Sequence, residues 1–245
     1  MKIDDIMCGY TTWGELCSFI NKEIGVTYSH RGVNPQHDGL SINGRLPHSI
    51  SEAEFNFMKD YIIKHDLKRG FDLATGTGIS ALAIGWALKQ TGGTLLSVDS
   101  YIEEKIQAQS LNNVSQVGDD KPYENNKRLM SLFDLDNVHL EKGIAPHDCI
   151  MFMEKYQMTP LDFAFLDCPK NAPAFVRDIT YIKKYLSEDK FAIFWHDTHC
   201  FMEDFKRLSL EYLNTESIQI HEFVFSDKTY HQHFPLSLIT NIEVE

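Results

Sequence analysis

Between Gly70 and Leu213 the chain repeats one order five times: a short apolar run, then a stretch with helical spacing. The runs are GFDLA, TLLSVD, NVHLEKG, LDFAFLD and KFAIFWHD. Helical spacing follows over 79–90, over 102–111 and 123–133 around a polar insert, and over 148–156, 173–186 and 199–213. Strands joined through helices must run parallel, and right-handed crossovers place the helices on both faces of the sheet. Two further runs, SIQIHEFVF and FPLSLITNIEVE, have only a polar loop between them and are expected to pair as an antiparallel hairpin. The expected fold class is therefore α/β, a doubly wound, mostly parallel seven-stranded sheet closed by a C-terminal antiparallel hairpin.

The first 50 residues stand apart as an N-terminal extension and a candidate substrate cap. Residues 13–24 have helical spacing, and a polar loop, YSHRGVNPQHDGLSINGRLPHS, follows. A loop of that length in a compact domain is usually functional or mobile. Ser51 and Glu54 then form a capping box, predicting a helix over 52–66 and the start of the main domain, 51–245.

In open α/β sheets ligands collect at the carboxyl ends of the strands, so the residues there are the candidates. The first strand ends in Asp72-Leu73-Ala74-Thr75-Gly76-Thr77-Gly78, with Ser80 in the next helix. Glycines allow a tight turn and close approach of a ligand to backbone N–H groups. The segment also fits the dinucleotide-binding pattern G-x-G-x-x-A, weak on its own and compatible with a plain strand–helix turn. Asp99, followed by Ser100, ends the second strand about 20 residues on, the spacing at which a carboxylate accepts both ribose hydroxyls. Gly143-Ile144-Ala145-Pro146 at the third strand end is a small apolar bend against which an adenine ring could lie, or an ordinary turn.

The fourth and fifth strands end in Asp167-Cys168-Pro169-Lys170 and His196-Asp197-Thr198-His199. Neighbouring strands would bring Asp167 and Asp197 together, and two such carboxylates repel unless a cation joins them. Oxygen ligands suit Mg²⁺, and a histidine admits Mn²⁺, Fe²⁺ or Zn²⁺. The competing use of either carboxylate is as a helix N-cap. Lys170, near an ion and an apolar wall, is a candidate proton acceptor, or a solvated surface lysine.

Charge and cysteine usage narrow the partners. Lys and Arg number 23 against 35 Asp and Glu, a formal charge of −12, with no basic stripe, which disfavours nucleic acid. The longest apolar stretch, 79–88, is about half a bilayer span, so no membrane partner is expected. Five cysteines without a C-x-x-C pair, and Asp4 and Asp5 where a signal peptide would be basic, lead to an expectation of reduced thiols in the cytoplasm.

These motifs together resemble the class I S-adenosylmethionine (SAM)-dependent methyltransferases, and within them the metal-dependent O-methyltransferases of the catechol and antibiotic-sugar types. The likeness covers about residues 50–245. It implies SAM and a divalent metal, Mg²⁺ or Mn²⁺, as cofactors, and methyl transfer to a hydroxyl of a small catechol, diol or sugar-like acceptor. Asp72, Ala74, Thr75, Gly76, Gly78 and Ser80 fall on the glycine motif and the methionine end of SAM. Asp99 and Ser100 fall on the ribose acid, and Gly143 and Ala145 on the adenine segment. LDFAFLDCPK is the most specific match: it makes Asp167 a metal ligand beside SAM and Lys170 the catalytic base. WHDTH departs from the family's usual Asp-Asn or Asp-Asp pair, leaving His196, Asp197 and Thr198 as alternatives for the next ligand. Ala74 departs from the usual first glycine. The rival readings are an NAD(P)-dependent oxidoreductase using the same glycine turn, and a non-catalytic SAM-fold binding module. A homo-oligomer is compatible with the sequence.

Overall fold

The computed structural model describes residues 16, 19, 20, 23, 50–76, 78–101, 122–167, 171–198, 201–213, 217–225 and 234–243. In chain order the elements are α1 (Glu52–Lys64), β1 (Arg69–Leu73), α2 (Ile79–Gln90), β2 (Thr94–Asp99), α3 (Pro122–Leu132), β3 (Val138–Lys142), α4 (His147–Lys155), β4 (Phe163–Leu166), α5 (Ala172–Ile182), β5 (Ala192–His196), α6 (Met202–Leu213), β6 (Gln219–Phe225) and β7 (Phe234–Thr240). The sheet order is β3-β2-β1-β4-β5-β7-β6. The first five strands pair in parallel, and β7 lies antiparallel between β5 and β6. The helix-free loop between the last two runs predicts the hairpin; that β7 lies inside and β6 forms the edge is a matter of packing.

Side-chain alternation sorts the strands into two cores. Phe163 and Phe165 of β4 and Phe194 of β5 face one layer with Met58 and Ile62 of α1 and Leu82 of α2. Ala164, Leu166, Ile193 and Trp195 face the other, with Met153 of α4, Phe175 of α5 and Phe205 of α6. The same period-2 rule places Asp72, Ser97, Asp167 and His196 on the α1–α2 side. In the N-terminal segment the described residues Leu16, Phe19, Ile20 and Glu23 are helical. Leu16 and Ile20 are buried in that same layer, where Phe19 meets Phe133 edge to face.

Three helix boundaries differ from the periodicity by two residues or more, two with visible causes. Helix α1 stops two residues early because Asp66 takes a left-handed φ of 50°. Helix α5 stops at Ile182 because the chain returns to the sheet: Leu186 bridges to Leu161, whose N–H donates to the Tyr185 carbonyl at 2.5 Å. Helix α6 begins at Met202 rather than residue 199.

At the end of the sheet opposite the candidate site, Asp162 joins β1 to β4. Its carboxylate accepts the Lys68 N–H at 2.9 Å and the Arg69 N–H at 2.7 Å, while its own N–H donates to the Arg69 carbonyl at 3.1 Å. Asp162→Ala would leave two amide donors unsatisfied in a mostly buried setting, and is expected to cost about 1–3 kcal/mol of stability in chemical denaturation. A change within about 0.5 kcal/mol, ordinary for a surface substitution, would show that this carboxylate does not tie the two strands.

Candidate active site

The carboxyl ends of β1, β2, β4 and β5 meet on one rim. Asp72 is fully buried there. Ser97 on β2 donates its hydroxyl to Asp72 at 2.5 Å, Ser80 at the start of α2 donates at 3.3 Å, and Thr75 and Ser97 share a hydroxyl contact of 2.6 Å. Burial pushes the Asp72 carboxyl up to about 7; the Ser97 and Ser80 hydroxyls oppose this, and the charges of Asp99 and Asp167 reinforce it. Thr75 therefore turns its side chain inward to the serine network, and only its backbone can face a ligand.

The turn beyond β1 is held in left-handed backbone at Ala74 (φ 74°), Gly76 (51°) and Gly78 (80°). Ala74 thus occupies a conformation that favours glycine, at a cost of about 1–2 kcal/mol. A Cβ on Gly78 would stand 2.7 Å from the Asn126 side-chain oxygen. Asn126, buried on α3, donates to the Gly76 carbonyl at 2.9 Å and to the Tyr101 hydroxyl at 3.1 Å, so it clamps the turn. Burial pushes the Tyr101 phenol well above its ordinary value.

Asp99 spans the gap between the two strand ends. One carboxylate oxygen accepts the Gly76 N–H at 2.8 Å and the other the Tyr101 N–H at 2.7 Å. Each oxygen keeps a further lone pair, and Ser100 sits half-buried beside it. Gly143 is fixed by packing: a Cβ there would stand 2.7 Å from Asp148 Cβ and 2.8 Å from Phe152. Its N–H donates to the Asp99 carbonyl at 3.0 Å. Ala145 is half-buried, and Ile144 beside it is 57% exposed, an apolar surface at the end of β3.

The fourth and fifth strand ends converge. The register carries Leu166 opposite Trp195, so Asp167 and His196 follow side by side. His196 Nδ1 lies 3.3 Å from Asp167 and 3.4 Å from Asp197, and its Nε2 lies 3.0 Å from Glu54 on α1. One donor atom from each of Asp167, His196 and Asp197 falls within 4.8 Å of the others. Burial would push the imidazole down, but the carboxylates of Asp167 and Glu54 outweigh it and hold it up to about 10. In the absence of another cation, His196 is the positive charge of this cluster.

The structure bears on two alternatives left by the sequence. The N-cap of α5 is Asn171, whose side-chain oxygen accepts the Ala174 N–H at 3.0 Å, so Asp167 is not that cap. Thr198 is fully buried, and its hydroxyl already has a partner in Ser237 on β7 at 2.6 Å. Lys170, His199, the loop 28–49, most of the insert 112–122 and the loop 226–233 lie outside the described residues.

The residues fit a divalent ion. Ligands cis to one another on an octahedral ion at about 2.1 Å stand roughly 3 Å apart, close to the 3.3 and 3.4 Å separations from Nδ1. Asp197 Oδ1 is buried without a hydrogen-bond partner among the described residues. Asp197 itself holds a left-handed φ of 56°, the kind of backbone strain that clusters at ligand sites. Asp167, His196 and Asp197 would hold the ion.

No protein-family model matches the chain, and no curated protein is similar to it in sequence. Solved structures do match. The O-methyltransferase from Bacillus cereus in complex with SAH superposes with a TM-score of 0.62 at 13% identity, over 97% of this chain and 94% of that one. A putative O-methyltransferase from Klebsiella pneumoniae gives 0.59 at 13% identity, over 94% and 89%. The O-methyltransferase TomG from Streptomyces achromogenes, involved in tomaymycin synthesis and solved in complex with SAM, gives 0.58 at 14% identity, over 94% and 89%. Among the described residues no helix is long and apolar enough to cross a membrane.

The buried Asp72 yields a signed prediction. Its folded-state value of about 7 lies above that of an exposed aspartate. Its contribution to stability is therefore full in acid and is lost as pH rises through about 7. Asp72→Asn should melt at least about 3 °C above the parent at pH 8 without ligand, the gap closing toward pH 4. A gap independent of pH would show that folding does not raise the Asp72 carboxyl. The chain has the Rossmann-like fold of the class I SAM-dependent methyltransferases.

Proposed function

We propose that this protein is a SAM-dependent O-methyltransferase acting on a hydroxyl of a small catechol, diol or sugar-like acceptor with help from a divalent ion. The observation that carries the reading is the convergence on one rim of Asp72 and Asp99, at the first two strand ends, with the Asp167–His196–Asp197 cluster at the next two. A dehydrogenase reading uses the glycine turn and Asp99 but gives that cluster no task.

Bound SAM supplies an electrophilic methyl group, and a divalent ion would lower the pKa of an acceptor hydroxyl. The chain's own residues do the rest. Asp99 accepts hydrogen bonds from the ribose with the lone pairs that Gly76 and Tyr101 leave over. Ile144 and Ala145 offer the apolar wall for the base. Asp72 anchors the turn through Ser97 and Ser80, and a nearby sulfonium would favour its ionised form. Lys170, three residues beyond Asp167, is the proposed proton acceptor. Methyl transfer is an in-line displacement, so positioning and exclusion of water supply most of the rate.

Calorimetry with SAM should show micromolar or tighter binding. Asp99→Ala should weaken it 10- to 100-fold, the worth of hydrogen bonds to a charged group. No heat with the parent protein would remove the methyltransferase reading. Separately, EDTA should abolish turnover of a vicinal diol acceptor, and Mn²⁺ should restore it. Full activity in EDTA would remove the ion while leaving SAM in place.

A further inference from the structure

We propose that Glu54, on the helix before the first strand, is a positioning residue that presents Nδ1 of His196 to the divalent ion as a nitrogen ligand. This inference rests on the metal reading above. Glu54 is 1% exposed and does two things at once. One oxygen accepts the Ser51 N–H at 2.6 Å as half of the capping box, which fixes the carboxylate at the start of α1. The other stands 3.0 Å from His196 Nε2. That is a hydrogen-bond length, although the ring is not aligned well enough to close the bond.

A carboxylate accepts and cannot donate, so its partner nitrogen must carry the proton. With Nε2–H directed at Glu54, the lone pair of a neutral ring sits on Nδ1, facing Asp167 and Asp197. Three electron-rich groups facing one point repel one another unless something positive lies between them. A proton on Nδ1 can be shared with only one of the two carboxylates that stand 3.3 and 3.4 Å from it. A divalent ion answers all three donors. A carboxylate behind a ligating histidine is also the arrangement that fixes the ring and raises its basicity. The ion that fits this nitrogen-containing set is Mn²⁺ or another transition metal more readily than Mg²⁺, which prefers oxygen.

The test uses the full-length protein without SAM. Mn²⁺ is titrated by calorimetry, and pulsed electron paramagnetic resonance reads the nitrogen coupling of a bound imidazole. The parent should bind Mn²⁺ at least tenfold more tightly than Mg²⁺ and show that coupling. Glu54→Gln keeps an oxygen for the Ser51 N–H but turns an amide N–H toward Nε2, which moves the ring proton to Nδ1. Mn²⁺ affinity should fall 10- to 100-fold and the coupling should vanish. Unchanged affinity and coupling in Glu54→Gln, or Mn²⁺ bound by the parent without nitrogen coupling, would overturn the role of Glu54 and leave the metal reading standing. A parent that binds neither Mn²⁺ nor Mg²⁺ would overturn both. Should Glu54→Gln fail to fold, ¹⁵N-histidine spectra of the parent with Zn²⁺ decide instead: Nδ1 on the metal with Nε2 protonated supports the proposal, and the reverse contradicts it.

Discussion

Carboxylates crowded onto one edge of a buried sheet need positive charge among them. Asp72, Asp99, Asp167 and Asp197 all end at the same rim, and Glu54 reaches it from α1. In water these charges would be screened; at the rim, burial together with the neighbouring Asp99 and Asp167 charges pushes the Asp72 carboxyl up. The chain supplies one cation of its own among the described residues there, the imidazole of His196. The other groups that such a rim suits are cationic: a sulfonium on one side and a divalent ion on the other. The fold holds these acids together on one rim, where the proposed sulfonium and divalent ion would lie among them.

The scaffold does this with ordinary means. Strand register sets Asp167 beside His196, and side-chain alternation turns both toward α1. The capping box that starts α1 brings Glu54 to the back of the imidazole. Asn126 holds the glycine turn from the far side, so the backbone stays open toward Asp99. The left-handed Ala74 and Asp197 show where the backbone is strained to reach these positions.

Much of this was legible in the residues. Alternating periods announced the parallel sheet, and the helix-free last loop announced the hairpin, because both signals are local. Asp72, Asp99, Asp167 and His196 were found from their places at strand ends. What could not be read were partners distant in the chain. Ser97 looked like one more residue of an apolar strand, and its hydroxyl matters only because β2 lies beside β1. Asn126 lies in an expected helix and Tyr101 just beyond a strand end, and nothing in either spacing shows that the two side chains meet. Glu54 was recognised as a helix cap, which it is; its second contact depends on α1 crossing the end of β5. Thr198 is a candidate ligand by its place in WHDTH, and only the fold shows its hydroxyl against Ser237 on β7.

The central claim is that a nucleoside and an ion share this rim, and a crystal structure of the protein grown with S-adenosylhomocysteine and Mn²⁺ tests it most directly. The account predicts ribose hydroxyls on Asp99, the adenine against Ile144 and Ala145, and an anomalous peak bounded by Asp167, His196 and Asp197. A nucleoside seated away from Asp99, or manganese bound elsewhere with that cluster still closed on the His196 imidazolium, would contradict it.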